Sequence, residues 1–456
     1  MNKHFIIFVL TSFLSVSLFS QKIDYLSVSP SGDFLMKNNG KPFFYMGDTG
    51  WLLMKKLNRK EANYYLDKRK EQGFNVIQIM VLHDANDVNV YNDKALVNGN
   101  IVTPYQTNGK DFKDHVQYDY WDNVEWVVDA CAKRGMYVAL VPLWGSVIKK
   151  TKPTKAMIRM YMNYLCHKIS DRKNIIWFIG GDIRGDQFSD LWAEMADVIR
   201  FNNPNQLITF HPRGRTSSLD WFADEKWIDF HSVQSGHKNY SQDSTGYGED
   251  SWRYIREKYE KNNLKPILDI EPVYEEIPKG LKDTICGRWS SDDIRRSAYW
   301  SVFAGGCGIT YGHNSVMQFY SIGDRDANYF PTKEWEMALE AEGAKQMQYL
   351  KLLLEDRMEN RRDLTSWVKN QGTRYDYIIG TGGEKFALFY TTKGNKIIID
   401  KSRLEHRSYK TFWFNPRNGM RTEAKAIEDP KGWLFSPQGI SKLGNDWVLE
   451  IVFGKK

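Results

Sequence analysis

Short apolar runs alternate with amphipathic stretches along the chain from residue 43 to about residue 350. The runs lack the strict apolar–polar alternation of half-exposed strands, so they are typical of strands buried on both faces of a parallel sheet. Eight such runs occur: Phe43–Gly47, Val76–Met80, Tyr137–Pro142, Ile175–Gly180, Leu207–Phe210, Ile228–Val233, Pro266–Ile270 and Gly308–Tyr311. The pattern predicts eight strands, each followed by a helical stretch.

The stretches between the runs carry apolar residues at helical spacing. Asn58 and Glu61 form a capping-box pattern at the start of one of them, and Gly73 follows its end. The other predicted helices are Trp121–Arg134, Thr154–Ser170, Phe188–Phe201, Ser251–Asn262 and Ser291–Phe303. Eight strand–helix units in roughly 300 residues predict an α/β fold, a (β/α)₈ TIM barrel. An open doubly wound sheet would alternate in the same way, but no glycine-rich phosphate turn follows the first run, which favours the barrel.

Two segments depart from this alternation. Residues 83–118 form a long stretch rich in Asn and Asp, and connections of this length are typically functional or mobile. From about residue 360 the sequence changes to strand-like runs separated by turn residues such as those of Asn415–Gly419. We therefore predict a barrel domain over residues 21–350. A small C-terminal all-β domain, β-sandwich-like, is predicted over residues 351–456 and packs against the barrel.

The first 20 residues have the pattern of a secretory signal peptide. Lys3 precedes an apolar stretch that runs to Phe19, and the small residue Ser20 suggests cleavage before Gln21. No later segment approaches 18 uninterrupted apolar residues, so we expect no membrane insertion. The protein is therefore expected to be secreted across the inner membrane, to the periplasm or the cell surface.

Composition and charge favour a globular protein that binds sugars and disfavour one that binds nucleic acid. The chain is 42% hydrophobic and 14% aromatic, which supports a large core and suits a protein that stacks on sugars. Residues 351–456 hold 20 Lys and Arg against 13 Asp and Glu, so the net charge of +7 lies there and the barrel is near neutral. We expect no nucleic-acid binding; the basic segment is a solvated surface or has a weak preference for acidic polysaccharide. The four Cys form no CxxC motif and no Cys/His cluster, so no metal site and no cofactor are predicted.

Polar and aromatic side chains follow every predicted strand. Because the active site of a TIM barrel lies at the carboxyl ends of its strands, these side chains predict a substrate pocket. The predicted substrate-binding residues are Asp48, Trp51, His83, Trp144, Arg184, His211, Gln234, His237, Tyr311 and His313. Asp48 is interpreted as an acceptor for a sugar hydroxyl, and Trp51 as a stacking face.

Two carboxylates dominate this ring. Asp182 follows the fourth strand and Glu271 the seventh, on opposite sides of an eight-stranded barrel. Glycoside hydrolysis needs two carboxyl groups that flank the scissile bond, one protonated and one ionised. We therefore predict Asp182 and Glu271 as the catalytic pair. Asp269, two residues before Glu271, is predicted to face the barrel wall behind it.

The motifs GDTGW, GGD, HPRG, QSGH, DIEPVYE and YGHNS, together with the β-domain, resemble glycoside hydrolase family 140 over nearly the whole mature chain. The resemblance implies a secreted barrel apiosidase that removes apiose from the pectin rhamnogalacturonan II, in a family formerly described as collagenases with a collagen-binding C-terminal domain. It also implies that Asp182 is the acid/base and Glu271 the nucleophile. Related barrels usually carry Asn-Glu after the fourth strand, whereas this chain has Gly181 and Asp182, one methylene shorter.

Other functions remain as alternatives. A barrel glycosidase acting on a different plant or host glycan, and a non-catalytic carbohydrate-binding protein, fit the same aromatic and polar ring. A metallohydrolase is disfavoured because no His-x-His follows the first strand, and a zinc protease because no His-Glu-x-x-His occurs. Carboxyl groups after the fourth and seventh strands usually lie about 5–5.5 Å apart, so a retaining mechanism is predicted. The β-domain is predicted to be structural rather than a collagen binder.

Overall fold

A small antiparallel sheet precedes the barrel in the computed structural model, which describes residues 23–243, 246–261, 265–405 and 407–454. Its strands are β1 (Leu26–Val28), β2 (Leu35–Lys37) and β3 (Pro42–Phe43), in that order. The first predicted run is therefore divided: Phe43 ends β3, and the barrel strand begins only at Tyr45. The predicted signal peptide lies outside the described residues.

Eight parallel strands form a TIM-like barrel. Six of them make one hydrogen-bonded arc in the order β12-β4-β5-β6-β7-β8, and β10 pairs with β11 in a second arc. Single backbone bonds join the arcs, from Asp229 to Ile208 (2.8 Å) and from Cys307 to Ile267 (2.7 Å). The barrel strands are β4 (Tyr45–Thr49), β5 (Val76–Met80), β6 (Tyr137–Val141), β7 (Ile175–Ile183), β8 (Leu207–Pro212), β10 (His231–Gln234), β11 (Ile267–Asp269) and β12 (Gly308–Tyr311). A two-residue strand, β9 (Thr216–Ser217), pairs with β10.

Helices fill the connections between these strands. The second helix after β4 begins at the predicted capping box, in which the Asn58 side chain accepts from the N–H of Glu61 and the Glu61 side chain accepts from the N–H of Asn58. The helices are α1 (Leu53–Lys56), α2 (Arg59–Glu71), α3 (Tyr120–Lys133), α4 (Gly145–Thr151), α5 (Lys155–Lys168), α6 (Ser189–Asn202), α7 (Leu219–Phe222), α8 (Ser251–Lys261), α9 (Ser291–Phe303), α10 (Trp335–Ala338) and α11 (Glu342–Leu354). Within the described ranges, none of these helices combines the length and the apolar character needed to cross a bilayer.

The long connection 83–118 packs against α2 and α3. The Arg59 guanidinium lies 3.7 Å from the ring centroid of Phe112 and 4.9 Å from that of Tyr118, while the Tyr91 hydroxyl accepts from the Arg59 N–H at 2.7 Å. One 3₁₀ turn, Val97–Gly99, lies within it. This connection contributes no side chain to the main cavity described below.

The C-terminal domain is built from two antiparallel sheets. The larger has the order β13-β14-β15-β21-β17-β18 and the smaller β16-β20-β19. Their strands are β13 (Arg362–Asp363), β14 (Ile378–Gly382), β15 (Phe386–Thr391), β16 (Ile397–Ile399), β17 (Tyr409–Phe414), β18 (Arg421–Glu423), β19 (Ala426–Asp429), β20 (Gly432–Phe435) and β21 (Trp447–Phe453). The predicted strand at Tyr375 starts three residues later, because Arg374–Asp376 form a 3₁₀ turn. The predicted domain boundary at residue 350 falls inside α11.

The two domains share a packed interface. The rings of Tyr299 on α9 and Tyr390 on β15 stack at 4.8 Å. Beside them, Arg295 and Asp446 form a buried ion pair at 2.8 Å, to which the Tyr390 hydroxyl donates at 3.1 Å. Aromatic stacking and a hydrogen-bonded buried ion pair together fix the β-domain on the barrel.

Candidate active site

A cavity of about 660 Å³ opens at the carboxyl ends of β7, β8, β10 and β11. Its walls combine the two predicted catalytic carboxylates with several cations, amides and aromatic rings. The polar and aromatic lining residues are Lys149, Asp182, Arg184, Gln187, Arg213, Arg215, Thr216, Gln234, His237, Lys238, Asp243, Glu271, Tyr274 and Tyr329. The cavity lies where a barrel fold places its active site.

An irregular end of β7 presents Asp182 to this cavity. Gly180, Gly181 and Asp182 have φ values of 102°, 110° and 52°, and the pairing with β8 jumps from Gly180 to Ile183. A Cβ added to Gly181 would lie 2.5 Å from the Trp144 ring, so only glycine fits there. The resulting bulge turns the strand out of its ladder and leaves Asp182 exposed to the cleft.

Two histidines hold the carboxylate of Glu271. Nε2 of His237 lies 3.1 Å from Oε1, and Nε2 of His211 lies 3.2 Å from Oε2. Nδ1 of His211 lies 3.3 Å from the Asp182 backbone nitrogen and 3.1 Å from the Pro212 carbonyl oxygen. Burial alone would raise the pKa of Glu271, but the hydrogen bonds and charges of the two histidines outweigh it and lower the pKa to about 2.

The pKa of Asp182 moves in the opposite direction. Partial removal of its carboxyl group from water raises the pKa, and the negative charge of Glu271 raises it further. The nearby histidines and the Gln234 amide oppose this rise without cancelling it. One cavity thus holds a carboxyl kept ionised and a second carboxyl biased toward the protonated form, as an acid and a nucleophile or base require.

Aromatic residues support the histidines from behind. The Tyr274 ring packs edge-on against His237 at 4.8 Å, and the Tyr274 hydroxyl accepts from the Trp51 indole N–H at 3.2 Å. The Trp51 and Trp144 rings lie 5.5 and 5.1 Å from the His211 ring. Trp51 is only 5% exposed, so the interpretation of Trp51 as a sugar-stacking face is corrected. Its indole packs behind the site.

Three further predicted binding residues are buried away from the cavity, which corrects their assignment. Asp48 is fully buried, and its Oδ2 accepts from Nε of Arg69 at 2.7 Å and from the Tyr65 hydroxyl, so a sugar hydroxyl has no access to it. The Tyr311 hydroxyl donates to Glu275 at 2.6 Å. His313 is also fully buried, and burial lowers its pKa to about 3. These three side chains are buried in the protein and do not line the cavity.

The remaining predicted residues divide between the cavity and its surroundings. Arg184 and Gln234 line the cavity, and Arg184 pairs with Asp186 at 2.5 Å. His83 and Trp144 are half-buried and do not line it. Asp269 faces the barrel wall as predicted: its carboxylate accepts from the hydroxyls of Ser235 and Ser301, and burial raises its pKa to about 6.

Sequence reasoning missed nine of the polar and aromatic residues that line the cavity: Lys149, Gln187, Arg213, Arg215, Thr216, Lys238, Asp243, Tyr274 and Tyr329. Arg213 lies in the HPRG motif, but its cationic role was not predicted from it. No local signal marks Tyr329, which lies 18 positions after β12. Its pKa is raised by burial and by the charges of Glu271 and Asp182, which shows that the phenol lies near both carboxylates.

The loop that carries Tyr329 is strained and anchored. Tyr329 and Phe330 both have positive φ, 58° and 52°. Their carbonyl oxygens accept side-chain hydrogen bonds from Asn314 (2.8 Å) and Arg288 (2.6 Å). Left-handed backbone at non-glycine residues costs energy and persists where the surroundings enforce it, often at functional sites.

The fold and the cavity together indicate the class of the protein. A TIM-like barrel with two carboxyl groups of opposed pKa at the carboxyl ends of its strands has the arrangement that glycoside hydrolysis requires.

Comparisons with known proteins agree with this class. A model described as an apiosidase-like catalytic domain matches residues 29–359, and one for a proposed collagen-binding domain of a collagenase matches residues 363–452. A solved structure named "Glycoside hydrolase" is 37% identical, with a TM-score of 0.86 over 94% of this chain and 97% of its own. A glycoside hydrolase family 5 structure from Bacteroides vulgatus is 38% identical, with a TM-score of 0.86 over 94% and 93%. No curated protein matches the sequence.

The match covers most of the chain, and the fold and the cavity agree with it. The chain therefore belongs to the apiosidase-like family of glycoside hydrolases. It is an enzyme of the O-glycosyl hydrolase class with a C-terminal β-domain.

Proposed function

We propose that the protein is an exported, retaining glycoside hydrolase that cleaves an apiosyl linkage in an acidic glycan such as the side chains of pectic rhamnogalacturonan II. Glu271 is the nucleophile and Asp182 the general acid and base. The apiosyl specificity comes from the family resemblance, and the acidic substrate from the charges of the cavity.

The observation that carries the catalytic roles is the opposed pKa of the two carboxyl groups. Glu271, at about 2, is ionised at every physiological pH, as a nucleophile must be. Asp182, with its raised pKa, is biased toward the proton that a leaving oxygen needs. The same pair of opposed environments separates acid from nucleophile in other glycosidases.

The reaction then proceeds in two displacements. A Glu271 carboxylate oxygen bonds to the anomeric carbon while the glycosidic C–O bond breaks, and Asp182 transfers its proton to the departing oxygen. In the second step the Asp182 carboxylate takes a proton from water, whose oxygen displaces Glu271 from the anomeric carbon. Asp182 is again protonated and Glu271 again ionised.

Unpaired cations favour an acidic substrate. Lys149, Arg213 and Lys238 line the cavity, and within the described residues their charged groups form no ion pair and no hydrogen bond. Cations that are not neutralised within the protein attract carboxylates, and the low-dielectric walls of a cleft strengthen that attraction. A uronate unit beside the cleaved linkage supplies such a carboxylate.

Release of apiose tests this proposal. The enzyme is incubated with rhamnogalacturonan II oligosaccharides, and the liberated sugars are identified by chromatography and mass spectrometry. Apiose is expected from the wild type and none from Glu271→Gln. Release of a different sugar, with Glu271→Gln inactive, would keep the catalytic pair and replace the substrate.

Stereochemistry is tested on the same reaction. NMR of the first-formed product should show a retained anomeric configuration. An inverted product would rule out Glu271 as the nucleophile and make it the base that activates water.

Charge recognition has its own measurement. Arg213→Ala should raise KM for an acidic oligosaccharide while leaving a neutral aryl glycoside unaffected. The difference between the two substrates should shrink at high salt, because salt screens exposed charges. An equal effect on both substrates would contradict charge recognition.

Export is tested by fractionation of the producing cells. The protein should appear in the periplasm or at the surface, with an N-terminus at Gln21. A product found only in the cytoplasm, with Met1 retained, would contradict it.

A further inference from the structure

The C-terminal domain contacts a loop that carries cavity residues. The Tyr375 hydroxyl donates to Oε1 of Glu249 at 2.8 Å, and the Tyr375 ring packs edge-on against Tyr240 at 5.3 Å. The Arg374 guanidinium lies 4.8 Å from the centroid of the same Tyr240 ring. Two consecutive β-domain residues therefore touch the barrel loop that starts at His237, the histidine bonded to Glu271.

Gly248 connects this contact to the cavity. Its φ is 53°, and a Cβ added there would lie 2.1 Å from the Tyr240 ring, so the backbone lies directly on that ring. Its carbonyl oxygen accepts from both terminal nitrogens of Arg215 at 2.9 Å, and its N–H donates to Asp243 at 2.6 Å. Arg215 and Asp243 pair with each other at 3.0 Å, and both line the cavity.

Glu249 is held from the opposite side as well. Its second carboxylate oxygen lies 2.6 Å from Nη2 of Arg296, which is buried on α9 and also bonded to Asp293 at 2.7 Å. The Tyr375 hydroxyl thus completes the hydrogen bonding of a buried carboxylate next to Gly248. Buried networks of this kind have few alternative arrangements, so loss of one member shifts its neighbours.

We propose that Arg374 and Tyr375 are positioning residues for the substrate cavity. The β-domain fixes Tyr240 and Glu249, and these fix Gly248, whose backbone sets the place of Arg215 and Asp243 in the cavity wall. We call this set of contacts from Arg374 and Tyr375 through Tyr240 and Glu249 to Gly248 the brace: through it, the second domain holds the cavity wall of the barrel in place. The inference rests on the proposed use of this cavity for substrate, but not on the identity of the sugar.

Tyr377 provides a matched control at the same interface. Its ring stacks on Trp252 at 4.1 Å, and its hydroxyl accepts from Arg256 at 2.9 Å. Both partners lie on α8, and neither lines the cavity. Tyr377→Ala thus removes an interdomain contact of similar size that does not lead to Gly248.

The kinetic comparison uses the full-length enzyme and the oligosaccharide that the wild type cleaves. Tyr375→Ala should raise KM by between about 3- and 30-fold, the range for mutations that act through packed neighbours, with kcat within about twofold. Tyr377→Ala should lower the unfolding temperature but leave KM within about twofold. Tyr375→Phe keeps the ring and should show a smaller rise in KM. An unchanged KM in Tyr375→Ala, or an equal rise in both alanine variants, would overturn the brace.

Hydrogen exchange provides a readout without substrate. Amides in residues 235–243 and 246–250 should exchange faster in Tyr375→Ala than in the wild type or in Tyr377→Ala. Unchanged exchange there would overturn the brace even if kinetic constants moved. If Tyr375→Ala does not fold, Tyr375→Phe decides by the same two measurements. Failure of the wild type to release apiose would instead refute the proposed substrate, and the exchange result would stand.

Discussion

Removal of His237 should bring the pKa of Glu271 back toward that of an ordinary carboxyl group. Its pKa falls from 4.5 to about 2 in the folded protein, although burial acts in the opposite direction. That shift corresponds to roughly 3 kcal/mol of interaction in favour of the ionised form. His237 and His211 contact one oxygen each, so loss of His237 should remove about half of it, raising the pKa of Glu271 by at least about one unit.

The acid side of the pH–rate profile reports this change. In the wild type, kcat/KM should stay high down to about pH 3, because Glu271 remains ionised. In His237→Ala the acid limb should move up by at least about one pH unit, and His237→Asn, which keeps an N–H donor, should restore part of it. A folded His237→Ala enzyme with an unmoved acid limb would refute the assignment of that limb to Glu271.

The same shift has a consequence for stability. A carboxyl group whose pKa is depressed on folding stabilises the protein above its unfolded pKa, and this stabilisation is lost as pH falls through the folded pKa. For Glu271 the loss therefore spans about pH 4.5 down to about 2. Urea unfolding at stepped pH should show a shallower loss across this window in His237→Ala than in the wild type.

Three further substitutions test the site and the packing around it. Gly181→Ala should destabilise the protein by about 2–4 kcal/mol in urea unfolding and nearly abolish activity. The reason is that the φ of 110° at Gly181 and its contact with an indole ring exclude a Cβ. A fully active variant would contradict the bulge. Tyr329→Phe should lower kcat/KM by about tenfold at most, which corresponds to the loss of one hydrogen bond to the substrate. The control Tyr64→Phe, on the outer face of α2, should leave kcat/KM unchanged. Equal kcat/KM in both variants would show that Tyr329 is not part of the site. Asp48→Ala should lower the free energy of unfolding by about 3–5 kcal/mol, because it leaves the buried Arg69 cation without its partner. A loss below about 1 kcal/mol would argue against this ion pair.

The alternation of apolar runs and helical stretches was sufficient to predict the barrel, since both periods are local properties of the sequence. The position of a side chain inside a strand was harder to predict. Asp48 was expected beyond the end of the first strand, but that strand starts at Tyr45 and includes it. Asp48 therefore points outward, to Arg69 on α2, an ion pair between residues 21 positions apart that no local spacing reveals.

The cavity was predicted only where its residues follow strands directly. Glu271 and His237 come within a few residues of their strands, so their place followed from the fold. Tyr329 reaches the site from a loop held by Asn314 and Arg288, and neither contact has a sequence signature. The same holds for Arg374 and Tyr375, whose contact with the barrel depends on how the two domains dock.

The short acid residue of this chain and the irregular end of β7 are best understood together. Aspartate reaches one methylene less far than the glutamate that related barrels carry after the fourth strand. Here Gly181 and Asp182 have no partners on β8, so two extra residues bend the backbone out of the ladder toward the cavity. The extension of the main chain offsets the shorter side chain, and it needs the left-handed conformations that Gly180 and Gly181 permit. On the proposed role of Asp182 as the acid, the two glycines before it set the catalytic geometry. Asp182→Glu should then overshoot the position that the bulge provides and lower kcat.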